Sequence, residues 1–272
     1  MGRLARLAAI ALAAALCAPL AASADTTLTI AGSTALLPLA KAAAEVYQQQ
    51  HSDVKINVSG GGSGVGITQV AQKAVDIGDS DIPAKGQPDL VDHKVCVVGF
   101  SVAANPTAGV KNLTTQQVRD IFSGKATNWN QVGGANQKIV VINRPRSSGT
   151  RATFVATMMG TIPVSEAGLV EDATGTVVAT VKNTPGAVTY AAFSGTRAQT
   201  GITEVSLNGV APTDVNVVNG KYPFWSYEHM FTNGQPNAEA SRFITFVAAS
   251  SNLVKQLGYI MMRDMKTVAN DR

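Results

Sequence analysis

Short β-rich runs alternate with segments of helical period along this chain, which predicts an α/β fold with mostly parallel sheets flanked by helices. Three stretches carry the pattern. Thr27-Leu28-Thr29-Ile30-Ala31 reads as a strand that turns at Gly32-Ser33-Thr34 into a helix. Leu36, Leu39, Ala43, Val46 and Tyr47 recur there at helical spacing, and Pro38 is tolerated in a first turn. Val54 to Val58 forms a second strand, followed by Gly60-Gly61-Gly62-Ser63-Gly64 and a helix carrying Ile67, Val70, Ala71 and Ala74. Lys138-Ile139-Val140-Val141-Ile142 forms a third. It runs into Asn143-Arg144-Pro145-Arg146-Ser147-Ser148-Gly149-Thr150-Arg151 and a helix with Phe154, Val155, Met158 and Met159 inward.

Between these stretches, Val75 to Gly78 reads as a strand ending at Asp79-Ser80-Asp81. Thr114-Thr115-Gln116-Gln117 has the form of a capping box for a short helix with Val118, Ile121 and Phe122 inward. The apolar runs Val95 to Ala104 and Tyr222 to Phe231 suit strands that pass between two lobes. The chain then crosses out once and returns once, so residues 25–104 and 217–272 form a discontinuous first lobe and residues 105–216 the second. No internal repeat, low-complexity tract or long linker interrupts this plan.

Composition is that of an ordinary globular protein, 45% hydrophobic and 15% charged over 272 residues. Part of the net charge of +4 is an address label. Arg3 and Arg6 precede the apolar run Leu7 to Leu20, which ends in Ala22-Ser23-Ala24, as in a secretory signal peptide cleaved after residue 24. The remaining 20 basic and 18 acidic residues are nearly balanced and imply no broad nucleic-acid footprint. Cys17 lies in that leader, so Cys96 is left without an intramolecular disulfide partner. The expected protein is exported, most simply to the periplasm, and monomeric.

In open α/β sheets, ligands bind beyond the carboxyl ends of strands, where helices begin. Ser33-Thr34, Ser63, Asp81 and Ser148-Gly149-Thr150 all fall at such positions. The turn around Arg144 aims free backbone N–H groups, a positive helix end and a guanidinium fork at one place, which suits a tetrahedral anion. Ser-Gly-Thr also caps many helices for structural reasons alone. The glycine run admits two readings, a flexible surface turn or a backbone cradle to which Ser63 adds its hydroxyl. It lacks the spacing of a dinucleotide fingerprint and the lysine of a phosphate loop.

Asp81 is either a solvated turn residue or a discriminator. A carboxylate accepts a hydrogen bond from an anion that keeps a proton, as phosphate does at neutral pH, whereas toward sulfate it is a like charge. Arg146 and Arg151 read as exposed helix-start charges. Catalysis finds little support: His51, His93 and His229 are scattered without metal-ligand spacing, and neither Ser63 nor Ser148 sits in a nucleophile elbow. Cys96, Trp129 and Trp225 read as packing.

Taken in order, Ala31-Gly32-Ser33-Thr34, Gly60-Gly61-Gly62-Ser63-Gly64, Asp76-Ile77-Gly78-Asp79-Ser80-Asp81, and Arg144 with Ser148-Gly149-Thr150 resemble the phosphate-binding proteins of ABC transporters. Leu113-Thr114 to Gly124-Lys125-Ala126-Thr127-Asn128-Trp129 and Thr184-Pro185-Gly186-Ala187-Val188-Thr189-Tyr190 look like the same family. The resemblance runs from about residue 26 to the C-terminus. It implies a two-lobe periplasmic binding-protein fold of type II kind that closes on dehydrated phosphate and delivers it to a membrane permease, with no metal or organic cofactor.

Carried over by position, it implies phosphate contacts from Thr34 and the amide of Ala35, and from Ser33 at a position where such proteins vary between serine and small residues. It further implies contacts from Ser63, acceptance of the ligand proton by Asp81, and a clamp from Arg144, Ser148, Gly149 and Thr150. Two positions depart from the family pattern. Asp79 adds a second acid where many relatives are neutral, and Tyr222-Pro223-Phe224-Trp225 lacks the arginine that often follows. A sensor or scavenger without a dedicated permease, and a secreted hydrolase using Ser148 or Ser63, stand as the alternatives.

Overall fold

The computed structural model describes residues 26–197, 199–269 and 272. The expected signal peptide at 1–24, with Cys17, lies outside the described residues. Strand β1 (Thr26–Gly32) leads through a tight turn into α1 (Leu37–Gln50), which buries Leu39, Ala40, Ala43, Ala44 and Tyr47. Next come β2 (Val54–Ser59), α2 (Ser63–Ala71) and β3 (Ile77–Ser80); β1 lies between β2 and β3 and is parallel to both.

The buried face of α2 is Ser63, Gly66 and Val70, not the stripe of Ile67, Val70, Ala71 and Ala74 expected from periodicity. Ile67 is half-buried and Ala74 lies exposed past the helix end. Backbone proximity decides this. A Cβ at Gly66 would lie 2.7 Å from the Ala31 carbonyl oxygen and 2.8 Å from the Gly32 Cα, so only glycine lets the helix settle onto β1 and β3.

The long strand β4 (Leu90–Ala104) joins the two halves of the molecule. Leu90–Gly99 pair with the returning strand β10 (Trp225–Asn233), and Phe100–Ala104 pair with β8 (Ala187–Ala192). Between these crossings lie β5 (Asn112–Leu113), α3 (Thr115–Phe122), β6 (Val140–Asn143), α4 (Gly149–Phe154), β7 (Leu169–Val170) and α5 (Thr174–Asn183). Then follow β8, α6 (Phe193–Thr196), β9 (Thr203–Leu207) and α7 (Asp214–Val218). After β10, α8 (Ala238–Ala249) and α9 (Ser251–Gln256) pack against α1.

The strand order is β2-β1-β3-β10-β4-β8-β6-β7, with β9 paired to both β4 and β5. Pairing is parallel within each α/β half and antiparallel where β4 and β10 pass through. Tyr222–Phe224, expected at the start of the returning strand, precede it; Pro223 has no N–H for a ladder, and the Phe224 carbonyl accepts from the Phe100 amide at 3.0 Å.

The capping box forms as read. The Gln117 amide donates to Thr114 Oγ1 at 3.1 Å and the Thr114 amide to Gln117 Oε1 at 2.7 Å, with Val118, Ile121 and Phe122 buried. Phe154 then closes an aromatic cluster under the turn at Arg144. It stacks on Tyr190 with ring centres 4.1 Å apart, meets Phe122 edge-on at 4.7 Å, and lies 5.6 Å from Phe224. From Val155 to Met159 the helix widens into a π turn that still buries Met158 and Met159, while Val155 is half-buried. This cluster fixes the end of α4 against β8 and the return segment. Phe154→Ala is expected to cost about 3–5 kcal/mol in urea unfolding, the usual range for a fully buried phenylalanine.

Candidate functional site

Three strand-to-helix turns and the end of β3, which leads on into β4 and not into the helix start expected there, meet where the two halves face each other, and each brings a polar side chain that is almost wholly buried. Ser33 and Thr34 come from the β1–α1 turn, Ser63 from the start of α2, Asp81 from the end of β3, and Arg144 with Ser148, Gly149 and Thr150 from the β6–α4 turn. Residues more than a hundred positions apart thus share one spot.

Arg144 is 1% exposed. Its Nε donates to the Glu171 carbonyl at 3.0 Å, and its Nη2 to the Asp172 carbonyl and Thr34 Oγ1, both at 2.9 Å. Its Nη1 is buried with no partner. Burial draws the guanidinium below the ordinary arginine value, and the Asp81 charge works against that shift. The backbone beneath is anchored by Asn143, whose Oδ1 accepts the Arg144 amide at 3.0 Å and the Tyr190 hydroxyl. Burial pushes the Tyr190 hydroxyl up to about 12, so it stays a donor.

Asp81 is also 1% exposed, and both carboxylate oxygens accept from hydroxyls. Ser33 Oγ donates to Oδ1 from the first half, and Thr150 Oγ1 to Oδ2 from the second at 2.8 Å. The Asp81 amide donates to Ser63 Oγ at 2.9 Å, and its carbonyl accepts from Ser226 Oγ at 2.7 Å. The Asp81 side chain is therefore held by both halves at once. A carboxylate offers about four lone-pair sites, so two remain for another donor.

Ser33 Oγ also accepts from the amides of Ala35 and Leu36, each at 3.0 Å, which closes the turn before α1. The Ala35 amide, expected to face a ligand, is thus occupied by Ser33. Ser148 caps α4, accepting from the Arg151 amide at 3.2 Å. Gly149 is the first residue of that helix, and the first amides of a helix have no acceptor within it. A Cβ at Gly149 would collide with Ser63 Oγ and lie 3.0 Å from the Asp81 Cβ, so the close approach of α4 to α2 requires glycine. The glycine run is no free surface turn: the Gly64 amide donates to the Ser147 carbonyl across the halves at 2.9 Å.

Two residues differ from expectation. Arg146 is exposed as read, but Arg151 is buried, with Nη1 donating to the Arg144 carbonyl at 2.7 Å and Nη2 to Glu166 Oε1 at 2.9 Å. It braces the turn because its side chain folds back under α4, which helical periodicity alone does not reveal. Thr174, at the start of α5, was missed altogether. It is 3% exposed, its amide donates to Thr34 Oγ1 at 3.3 Å, and its own Oγ1 lies 3.4 Å from that atom. Asp172-Ala173-Thr174-Gly175-Thr176 before Val177, Val178 and Val181 has the small polar helix-start character that singled out the other turns.

Asp79 points inward, 1% exposed, with Oδ1 unpartnered. Burial, and then the neighbouring Asp81 charge, push its carboxyl well above the usual range. The second acid is therefore pushed toward the neutral form. Among the described residues no group of three or more His, Cys, Asp or Glu is placed to hold a metal ion.

A family model described as the PBP superfamily domain matches residues 18–251. The chain is 42% identical over 247 residues to the phosphate-binding protein PstS of Bacillus subtilis, covering 88% of this chain and 82% of that protein. Among solved structures, it resembles a Clostridium perfringens protein assigned as a phosphate ABC transporter substrate-binding protein, with phosphate bound. That match has a TM-score of 0.82 and 27% identity, covering 87% of this chain and all of the other. An ABC-type phosphate transport receptor from Vibrio cholerae is similar at a TM-score of 0.70 and 28% identity, over 86% and 99% of the two chains.

The state of Asp79 has a thermodynamic signature. An acid whose folded value is raised holds a proton that the unfolded chain releases above about pH 4, so its contribution to stability falls as pH rises toward the folded value. Asp79→Asn removes that fall. The stability of the variant relative to the parent should therefore grow with pH, by up to about 1.4 kcal/mol per unit, in urea unfolding between mildly acidic and mildly alkaline buffers.

Proposed function

The chain belongs to the PBP superfamily and, within it, to the phosphate-binding proteins, and from that premise we propose that it captures inorganic phosphate and delivers it to an ABC-type import permease. That family is one of substrate-binding proteins, not enzymes. The observation that carries the proposal is the paired geometry of Arg144 and Asp81. A buried guanidinium with one unpartnered nitrogen and a buried carboxylate with lone pairs to spare stand at the same meeting of the two halves.

In this reading Arg144 supplies positive charge and directed N–H bonds to the phosphate oxygens, and Asp81 accepts the proton that phosphate retains. Ser63 and Thr34 donate from the first half, with Ala35 and Ser33 shaping the turn. Ser148, Gly149 and Thr150 contribute the N-terminus of α4. Dehydrating a small anion is offset by charge-assisted hydrogen bonds worth about 1.5–3 kcal/mol each, and helix N-termini add about 0.3–1 kcal/mol apiece.

Because ligands come from both halves, binding favours the arrangement in which they touch, and a permease can read that arrangement. The lobes in this account are 25–104 with 217–272, and 105–216, joined through β4 and the return segment. The expected leader, two arginines ahead of an apolar run, supports export to the periplasm, where the protein acts as a monomer. Among the described residues, no helix is long and apolar enough to cross a membrane.

The test is calorimetric titration of phosphate-stripped protein with phosphate and then sulfate at one salt and pH. Tight phosphate binding with negligible sulfate heat is expected; absence of phosphate binding would overturn the assignment. Arg144→Ala should weaken phosphate about 100-fold, as loss of about 2.7 kcal/mol implies, with far-UV circular dichroism unchanged. Asp81→Asn should narrow the preference for phosphate over sulfate, because an amide donates to an unprotonated oxygen where a carboxylate repels it.

A further inference from the structure

Glu228 lies within β10, fully buried, and neither Oε1 nor Oε2 has a hydrogen-bond partner. The register of β3 and β10 sets His229 opposite Ser80 and Met230 opposite Asp79, which carries Glu228 one step on, to the position across from Asp81. Side chains alternate along strands, so Asp79, Asp81 and Glu228 share one face of the sheet, beside the turn that opens α1. On the other flank, Glu228 is opposite Cys96 of β4. Tyr259, whose hydroxyl donates to the Ala35 carbonyl, approaches from the C-terminal segment. The titratable groups that act on Glu228 are thus Asp81, Asp79, Cys96 and Tyr259, and none of them is a cation.

Like charges directly across a strand pair repel, and a carboxylate with no partner in an apolar interior costs far more than a neutral acid. The hydroxyls of Ser33 and Thr150 donate onto Asp81, which marks that residue as the one to hold the charge. We propose that Glu228 is a positioning residue of the anion site, standing as a neutral acid behind Asp81 so that the facing pair presents one negative charge to the ligand. Burial, followed by the Asp81 and Asp79 charges, pushes Glu228 well above the usual carboxylate range, in keeping with this placement. The inference rests on the phosphate-binding reading and deepens it. Arg144 then balances Asp81, and the helix N-termini are left to attract the anion. When Glu228 gives up its proton in alkaline solution, a second negative charge appears behind the ligand and affinity falls.

The test is the phosphate Kd of wild type, Glu228→Gln and Glu228→Met from about pH 6 to about pH 9.5, the range above an ordinary carboxylate value. Phosphate changes its own ionisation equally for all three, so the ratio of wild-type Kd to variant Kd isolates the protein group. That ratio should grow about tenfold over the range, the linkage of one pKa unit between free and bound states. A merely structural role leaves the ratio flat, and growth below about threefold, less than half of such a unit, overturns the proposal. The methionine variant serves if glutamine fails to fold. Independently, the wild-type infrared spectrum at neutral pH should contain a protonated-carboxyl C=O band that Glu228→Gln loses; retention of every such band also overturns it. Wild type that binds no phosphate at any pH sinks the phosphate reading together with this inference, whereas binding with a flat ratio sinks the inference alone.

Discussion

A guanidinium cannot be taken out of water unless oxygen acceptors meet its donors, and Arg144 places that demand on both halves of the molecule. Its acceptors are two backbone carbonyls just before α5 and the hydroxyl of Thr34 at the start of α1. The loop before α5 must therefore approach from one side and the β1–α1 turn from the other. Asn143 and Tyr190 hold the arginine backbone from below, and Arg151 ties its carbonyl. The aromatic cluster around Phe154 then serves as the floor on which this polar turn rests. Leaving one nitrogen unpartnered at such a place carries a desolvation cost that a bound anion removes.

Asp81 is the counterweight. Its two hydroxyl donors come from opposite halves, so the carboxylate works as a strap across the site as well as an acceptor within it. That role requires quiet neighbours. Asp79 and Glu228 lie on the same sheet face, and both are pushed by burial toward the neutral form. The α/β halves bring helix N-termini to the site, β3 brings Asp79 and Asp81, and the antiparallel insertion of β10 sets Glu228 across from Asp81. The crossing strand β10 thus does more than connect two lobes: it places the buried acid that faces Asp81 in the candidate site.

Much of the site was legible in the chain. Hydroxyl and glycine residues directly after β-rich runs mark strand-to-helix turns, and the ordered recurrence of three such turns with the Asp79-Ser80-Asp81 strand end pointed to one shared ligand. The Thr114–Gln117 capping box and the buried inner face of α3 follow from local hydrogen bonding and period, and both appear as read. Where the reading missed, long-range packing had decided. The helix after the glycine run turned its glycine inward, since backbone contact with β1 and β3 outweighs the burial of Ile67. Arg151 is buried because Glu166 and the Arg144 carbonyl lie beneath it. Thr174 joins the site because folding brings its amide to Thr34 Oγ1, 140 positions away in sequence.

The chain by itself determined the elements, the turns and the chemical character of the anion site, because caps, glycines and hydrophobic period act over a few residues. Only the tertiary structure decided which acid carries charge. Asp79, Asp81 and Glu228 are equivalent as letters, and their ordinary values differ little. Burial and the neighbouring acids push Asp79 and Glu228 toward the neutral form, whereas both Asp81 oxygens meet hydroxyl donors. That distinction arises when β3 and β10 align in antiparallel register and the second half closes over Asp81.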